Sequence, residues 1–135
     1  MRSLLWFAVA GIAASAMVRP AQAALTEEQF RLNTSADLVS LCSASPQDSL
    51  YTAALNYCHG FAVGAYSAER AHSAATRARP LFCLPEPQPT RNEAVAGFIA
   101  WTKQDPTRLT LPPIEGVFTY LMQQYPCPQR GKARS

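Results

Sequence analysis

The sequence predicts an all-α protein, a small four-helix bundle held together by two disulfides. Three observations predict this fold. Apolar residues recur at helical spacing in four stretches, no β-alternating run of any length occurs, and the cysteines form an even set in a short chain of 135 residues. The length suits a single domain, and the chain contains no internal repeats.

The N-terminal segment, residues 1–23, has the pattern of a cleavable signal peptide. Arg2 gives a positive start, an apolar stretch continues to Val18, and Ala21-Gln22-Ala23 matches an A-x-A cleavage site. A membrane anchor is the alternative, but the uncharged stretch is shorter than the roughly 20 residues that a span requires. We therefore predict cleavage after Ala23, export to the periplasm, and no membrane span after processing.

The charge distribution argues against nucleic acid as the partner. The chain has 12 lysines and arginines against 9 aspartates and glutamates, a formal net charge of +3. The basic excess lies in the predicted signal peptide and in residues 129–135, which are predicted to form a flexible basic tail. No basic patch is left in the predicted helical domain, residues 24–128, so we predict no nucleic-acid binding.

Two disulfides are predicted from the four cysteines, Cys42, Cys58, Cys83 and Cys127, because an oxidising compartment consumes free thiols. A zinc site is one alternative, but the chain has no C-x-x-C motif, and adjacent helical positions such as Cys58 and His59 point about 100° apart. A cysteine nucleophile beside His59 is another alternative. Of three possible connectivities we favour Cys42–Cys58 with Cys83–Cys127. The first joins sequential helices, and the second ties the middle of the chain to its end.

The first two helices are predicted from a start signal and an apolar stripe. Residues 34–37, Thr-Ser-Ala-Asp, look like the start of helix one, and helix two is expected to begin near residues 48–49. Gly60, Gly64 and Ala68 form a line of small residues, which predicts that another helix approaches closely there. The buried stripe of helix two is predicted to be Leu50, Ala54, Tyr57, Cys58, Phe61, Ala62 and Ala65.

A proline-rich loop and two further helices are predicted in the second half of the chain. Four prolines forbid a continuous helix across residues 77–89, where Phe82-Cys83-Leu84 is expected to point inward. Residues 90–93, Thr-Arg-Asn-Glu, form a capping box that opens helix three, and Pro112 and Pro113 suit the first turn of helix four. The buried residues are predicted to be Val95, Phe98 and Ile99 in helix three, and Ile114, Val117, Phe118, Leu121, Met122 and Tyr125 in helix four.

No catalytic, cofactor or metal site is predicted. The serines lack a G-x-S-x-G context, and no phosphate-loop or metal motif occurs. Glu69 and His72 have the E-x-x-H spacing of di-iron bundles, but a single copy lacks the other carboxylates that such a site needs. We therefore interpret Glu69 and His72 as a surface pair and predict a protein that is not an enzyme.

Four cysteine-bearing blocks occur in order over residues 33–128. They are Asp37-Leu38-Val39-Ser40-Leu41-Cys42, Tyr57-Cys58-His59-Gly60-Phe61-Ala62-Val63-Gly64, Phe82-Cys83-Leu84-Pro85 and Tyr125-Pro126-Cys127. The capped helix at Thr90 and the Asp105-Pro106 turn lie between the last two. In this order and spacing, the blocks resemble the Rap1a/Tai family of type VI secretion immunity proteins.

The resemblance implies an HdeA-like helical fold and a periplasmic immunity protein. Such a protein binds and inhibits a cognate type VI secretion effector, here expected to be a peptidoglycan amidase delivered by neighbouring cells. Some members act as dimers, which implies a homodimer. The alternative function is an HdeA-like periplasmic stress chaperone, which would need a dimer that dissociates in acid, and this chain has no acidic cluster at which protonation would act.

A loop between helices can plug the active site of the effector in such proteins, and we predict this role for residues 103–109. The segment is polar, mixed in charge and held between two predicted helices; an ordinary solvated connector is the alternative. The proline-rich loop, residues 77–89, is the second candidate. The candidate effector-binding residues are Lys103, Gln104, Asp105, Thr107, Arg108 and Leu109.

Overall fold

The computed structural model describes residues 24–128, which form four α-helices and two short 3-10 helices and no β-strand. This confirms the predicted all-α class. The predicted signal peptide, residues 1–23, and the predicted basic tail, residues 129–135, lie outside the described residues. The α-helices are α1 (Ser35–Cys42), α2 (Tyr51–Thr76), α3 (Arg91–Gln104) and α4 (Pro113–Gln124), and the 3-10 helices are Glu27–Arg31 and Pro106–Thr110.

Capping boxes start α1 and α3 where the sequence predicts them. At α1 the carboxylate of Asp37 accepts a hydrogen bond from the backbone N–H of Thr34 at 3.0 Å. At α3 the Thr90 backbone N–H donates to Glu93 at 2.8 Å, and the Glu93 N–H donates to the Thr90 hydroxyl at 3.2 Å. The hydrogen bonds from Thr90 lower the pKa of Glu93, so its carboxylate stays charged in the first turn, where the helix dipole favours an anion.

Helix α2 begins at Tyr51, a little later than the sequence suggests. The side chain of Asp48 accepts the backbone N–H of Leu50 at 2.8 Å, so the predicted start residue forms a turn in front of the helix instead. Asp48 also accepts the N–H of Leu25 at 2.8 Å, which ties the N-terminal end of the described chain to this turn. No helix in the described part of the chain is both long enough and apolar enough to span a membrane.

Both disulfides have the predicted connectivity. Cys42 at the end of α1 is bonded to Cys58 in α2, and Cys83 in the proline-rich loop is bonded to Cys127 after α4. The second link is reinforced by the backbone, because the N–H of Cys83 donates to the carbonyl of Tyr125 at 2.9 Å. The two cross-links therefore fix α1 against α2 and the loop against the end of α4.

The core lies where α1, α3 and α4 meet the middle of α2 and the proline-rich loop. Aromatic rings dominate it: the Phe98 ring centroid lies 6.0 Å from that of Trp101 and 5.9 Å from that of Tyr120. Phe82 enters the core from the loop, as predicted. The buried cluster consists of Leu38, Ala65, Phe82, Phe98, Trp101, Val117, Tyr120 and Leu121.

Helix α4 presents a different face to the core than the sequence predicts. Val117 and Leu121 are buried as expected, but Ile114 and Met122 at the edge of the predicted stripe are 42% and 39% exposed. The reason is that α4 packs Gly116 against Ser35 of α1 and Tyr120 against Gly97 of α3, which turns the edge of the stripe toward solvent. The buried residues of α4 are Pro113, Gly116, Val117, Tyr120 and Leu121.

Close helix packing occurs at two glycines that the sequence analysis did not single out. Gly60 and Gly64 are exposed, and a Cβ built at either would meet no described atom within 4 Å, so the predicted close approach along α2 is wrong. A Cβ at Gly97 would instead overlap the hydroxyl of Tyr120, and one at Gly116 would overlap the hydroxyl of Ser35.

Gly97→Ala is expected to destabilise the protein although alanine favours helix. Overpacking a tight contact costs about 1–3 kcal/mol, against about 1 kcal/mol gained from helix propensity. Gly64→Ala is the matched control: it adds the same methyl group to a helix in open space and should raise the free energy of unfolding by about 1 kcal/mol. Urea denaturation measures both, and a shift of the two variants in the same direction would contradict the packing at Gly97.

Candidate functional site

The segment predicted to bind an effector, residues 103–109, joins α3 to α4 and is mostly helical. Lys103 and Gln104 belong to the last turn of α3, and the 3-10 helix Pro106–Thr110 follows after one residue. The structure therefore places all six predicted residues on one short, ordered turn. Three of them, Lys103, Gln104 and Thr107, are exposed. The other three, Asp105, Arg108 and Leu109, are half-buried.

Asp105 holds the start of this turn. Its carboxylate accepts hydrogen bonds from the Thr107 hydroxyl at 2.7 Å and from the Thr107 backbone N–H at 3.0 Å. These two bonds, with a smaller contribution from the charge of Arg108, lower the pKa of Asp105. Asp105 therefore caps the 3-10 helix as an anion through its Oδ1 atom, and its Oδ2 atom accepts no hydrogen bond from the described residues.

Arg108 locks the turn onto α3. Its guanidinium lies 4.3 Å from the centre of the Trp101 ring and donates to the Trp101 carbonyl at 2.6 Å. It also lies 3.9 Å from the carboxylate of Asp105. The Trp101 indole N–H donates to Gln123 of α4 at 2.8 Å, so the clamp extends across two helices. Arg108 is a positioning residue of this turn, and Lys103 is its accessible cation.

The far end of the segment is tied to α1. The carbonyl of Leu111 accepts the backbone N–H of Ser35 at 2.8 Å, and the Leu111 side chain packs against the core. The turn is thus fixed at its start by Asp105, in its middle by Arg108 and at its end by Leu111. A surface in one conformation loses little entropy when it binds a partner.

An apolar cleft of about 580 Å³ opens between the four α-helices and the proline-rich loop. Its walls include Leu84, Val95 and Phe98, and Arg91 at the start of α3 is the one charged residue among the described residues that line it. The volume is within the usual range for a binding pocket, about 300–1,000 Å³. The sequence analysis missed the cleft because its lining residues follow the same apolar pattern as core residues.

Glu69 is a second feature that the sequence analysis missed. The expected surface pair with His72 is wrong: Glu69 is only 6% exposed, whereas His72 lies on the exposed side of α2. The Glu69 carboxylate accepts a hydrogen bond from the Ser73 hydroxyl at 2.7 Å and one from the Leu81 backbone N–H at 2.9 Å. It therefore connects α2 to the proline-rich loop, and no local sequence pattern announces that contact.

Two kinds of chemistry find no support among the described residues. All four cysteines are in disulfides, so no thiolate is available to act with His59 as a nucleophile. Residues 24–128 also contain no group of three or more histidines, cysteines, aspartates or glutamates that could hold a metal ion. The features of residues 24–128 that could contact a partner are a rigid polar turn, an apolar cleft and the buried carboxylate of Glu69.

Comparison with known protein families bears on which of the predicted functions this fold performs. A family model described as Rap1a immunity proteins matches residues 34–127, from the N-cap of α1 to the last disulfide cysteine. The chain belongs to the Rap1a immunity protein family. Membership supports a type VI secretion immunity protein, an inhibitor rather than an enzyme. No curated protein and no solved structure matches the chain.

Proposed function

We propose that the chain is a periplasmic immunity protein that binds a cognate type VI secretion effector, a peptidoglycan amidase, and blocks its active site. The family match supports the immunity role in this proposal, because it includes all four α-helices and both disulfides; the amidase target comes from the family resemblance of the sequence blocks. The disulfides support export, since such bonds persist in oxidising compartments and are rare in the cytosol.

The turn of residues 103–109 is the proposed inhibitory surface. Its exposed side chains, Lys103, Gln104 and Thr107, supply a cation, an amide and a hydroxyl, and the clamp of Arg108 on Trp101 holds them in one conformation. A polar, rigid turn suits the hydrated cleft of a hydrolase, because it can satisfy polar groups there with little loss of entropy. The apolar cleft beside Arg91 is a separate surface for an apolar anchor of the partner.

The homodimer implied by the resemblance stays a prediction. The exposed side of α2 supports it, since the large apolar residues Tyr57 and Val63 are 41% and 42% exposed there. Exposed apolar side chains on one helix can be covered by a second copy of the chain.

Inhibition of an amidase is the direct test. We expect the neighbouring gene to encode a peptidoglycan amidase, and purified residues 24–135 to abolish its release of peptides from peptidoglycan at one-to-one stoichiometry, with nanomolar affinity. Gln104→Arg places a bulky charge in the proposed contact and should raise the inhibition constant about 10- to 100-fold, as loss of a central contact typically does.

Gln124→Arg is the matched control for that variant. Both glutamines are exposed and each is the last residue of its helix, α3 or α4, but Gln124 lies away from the turn in sequence. We expect its inhibition constant to stay within about twofold, as for most surface substitutions. Equal effects of the two variants would reject the turn as the inhibitory surface. Undiminished amidase activity, together with client binding only in acid, would favour the chaperone alternative.

A further inference from the structure

Glu69 stands in a second pocket, of about 510 Å³, between the C-terminal part of α2 and the proline-rich loop. The residue is 6% exposed, and two hydrogen bonds, from Ser73 and Leu81, both end on its Oε1 atom. Its Oε2 atom accepts no hydrogen bond from the residues that the structure describes. The two hydrogen bonds to Oε1 therefore fix the orientation of the carboxylate, and Oε2 is left to accept a hydrogen bond from a ligand in the pocket.

Within residues 24–128, Glu69 has no cation within ion-pair distance. The ion pairs there are Arg31 with Glu28 and Arg108 with Asp105. Arg70 lines the same pocket, but its guanidinium donates to the Tyr66 hydroxyl at 3.0 Å and lies 5.7 Å from the centre of that ring. The hydrogen bond to Tyr66 is also the main cause of the raised pKa of Arg70. The charge of Glu69 makes the smallest contribution to that raised pKa.

A buried carboxylate without a cation is unusual, because burial removes the water that stabilises its charge. The pocket also contains the exposed acid Glu86, so its lining residues, which include Arg70, have one more acidic than basic side chain. Pro80 and Phe82 add apolar wall. A site with apolar walls and an oriented carboxylate matches a basic side chain, whose aliphatic stem packs on the walls while its charged end reaches the acid.

We propose that this pocket binds an arginine or lysine side chain of the partner protein, with Glu69 as the ion-pair acceptor. The partner is the effector, and that assignment rests on the proposed function. The cation site itself follows from Glu69, its two hydrogen bonds and the charge of the pocket. A partner's cation completes a site that the described chain leaves with an unmatched charge, and this contact lies outside the turn of residues 103–109.

The site is tested on the isolated chain with Nα-acetyl-arginine amide as the probe. We expect saturable shifts of the Leu81 and Ser73 amide signals in ¹⁵N-correlated NMR spectra, and no such shifts with Nα-acetyl-citrulline amide, a neutral analogue of the same shape. Glu69→Gln should weaken arginine-amide binding at least about tenfold, because a hydrogen bond to a charged carboxylate is stronger than one to a neutral amide. The amide oxygen of the glutamine can still accept both internal hydrogen bonds.

Glu115→Gln, at an exposed acid of α4 that does not line this pocket, is the control and should change binding about twofold or less. Equal shifts with the arginine and citrulline amides would overturn the proposal, as would unchanged binding by Glu69→Gln. The comparison of the two amides uses the unmodified chain, so it decides the question even where Glu69→Gln fails to fold.

The same titration separates this proposal from the proposed function, because it needs no effector. Glu69-dependent binding of the arginine amide by a chain that inhibits no amidase would keep the cation site and reject the effector as its partner. Full inhibition of the amidase by Glu69→Gln would reject a role of Glu69 in effector binding and leave the immunity function in place.

Discussion

Replacing Cys83 and Cys127 by serine is expected to lower the free energy of unfolding by about 4 kcal/mol. The cysteines are 44 residues apart in sequence, so loss of the bond returns much conformational freedom to the unfolded chain. The loss is a large part of the total of about 5–15 kcal/mol that stabilises a domain. Urea denaturation followed by circular dichroism measures it.

Reduction of the variant supplies the control. The remaining Cys42–Cys58 bond spans 16 residues, so dithiothreitol should remove about a further 3 kcal/mol from the double-serine variant. If reduction does not lower the free energy of unfolding of this variant any further, the predicted stabilisation by the Cys42–Cys58 bond is wrong. A loss of less than about 1 kcal/mol in the unreduced variant would contradict the stabilising role of the Cys83–Cys127 bond.

The location of the Cys83–Cys127 bond predicts which of the two proposed binding surfaces loses affinity more when the bond is removed. Without it, the proline-rich loop is still tied to the end of α4 by the Cys83–Tyr125 backbone bond and by Arg79, which donates to the carbonyl of residue 127 at 2.8 Å. Leu81, which binds Glu69, belongs to this loop. The turn of residues 103–109 is held separately by Arg108, so arginine-amide binding should weaken more than inhibition of the amidase.

Local signals in the sequence predict the helical frame well. Thr34 and Thr90 each begin a helix through a capping box, and Pro113 is the first residue of α4, because these effects act within one turn of the chain. The disulfide pairing was also predictable, since few connectivities exist and one of them joins neighbouring helices. Residues 105–109 lie between two helices as predicted, whereas Lys103 and Gln104 belong to α3 and the 3-10 helix was not predicted.

Contacts between distant segments were less predictable. Gly60 and Gly97 look alike in sequence as helical glycines, but only Gly97 faces another helix, and the partner there is Tyr120. Glu69 is buried because the loop containing Leu81 folds back over α2, a contact 12 residues away. An amphipathic pattern indicates that a helix has an apolar side; the neighbouring helices decide which residues of that side are covered.

Tyr120→Ala is expected to lower the free energy of unfolding by about 3–5 kcal/mol, the usual cost of removing a buried aromatic side chain. Tyr120 is 5% exposed, and its ring centroid lies 5.9 Å from that of Phe98 and 6.0 Å from that of Trp101. Ile114→Ala on the same helix is the control, because Ile114 is 42% exposed. Its loss should stay below about 1 kcal/mol in the same urea experiment.

The two variants decide between the predicted stripe of α4 and the observed one. A greater loss of unfolding free energy for Ile114→Ala than for Tyr120→Ala would favour the stripe predicted from the sequence over the observed one.

Tyr120→Phe adds a pH test. Burial is the main cause that raises the pKa of Tyr120 to about 12, above the ordinary tyrosine value of 10.0. The folded state therefore keeps the phenol proton where the unfolded chain releases it, and stability falls as the pH rises from about 10 to about 12. The Tyr120→Phe variant should lack this part of the alkaline loss, because phenylalanine has no proton to release.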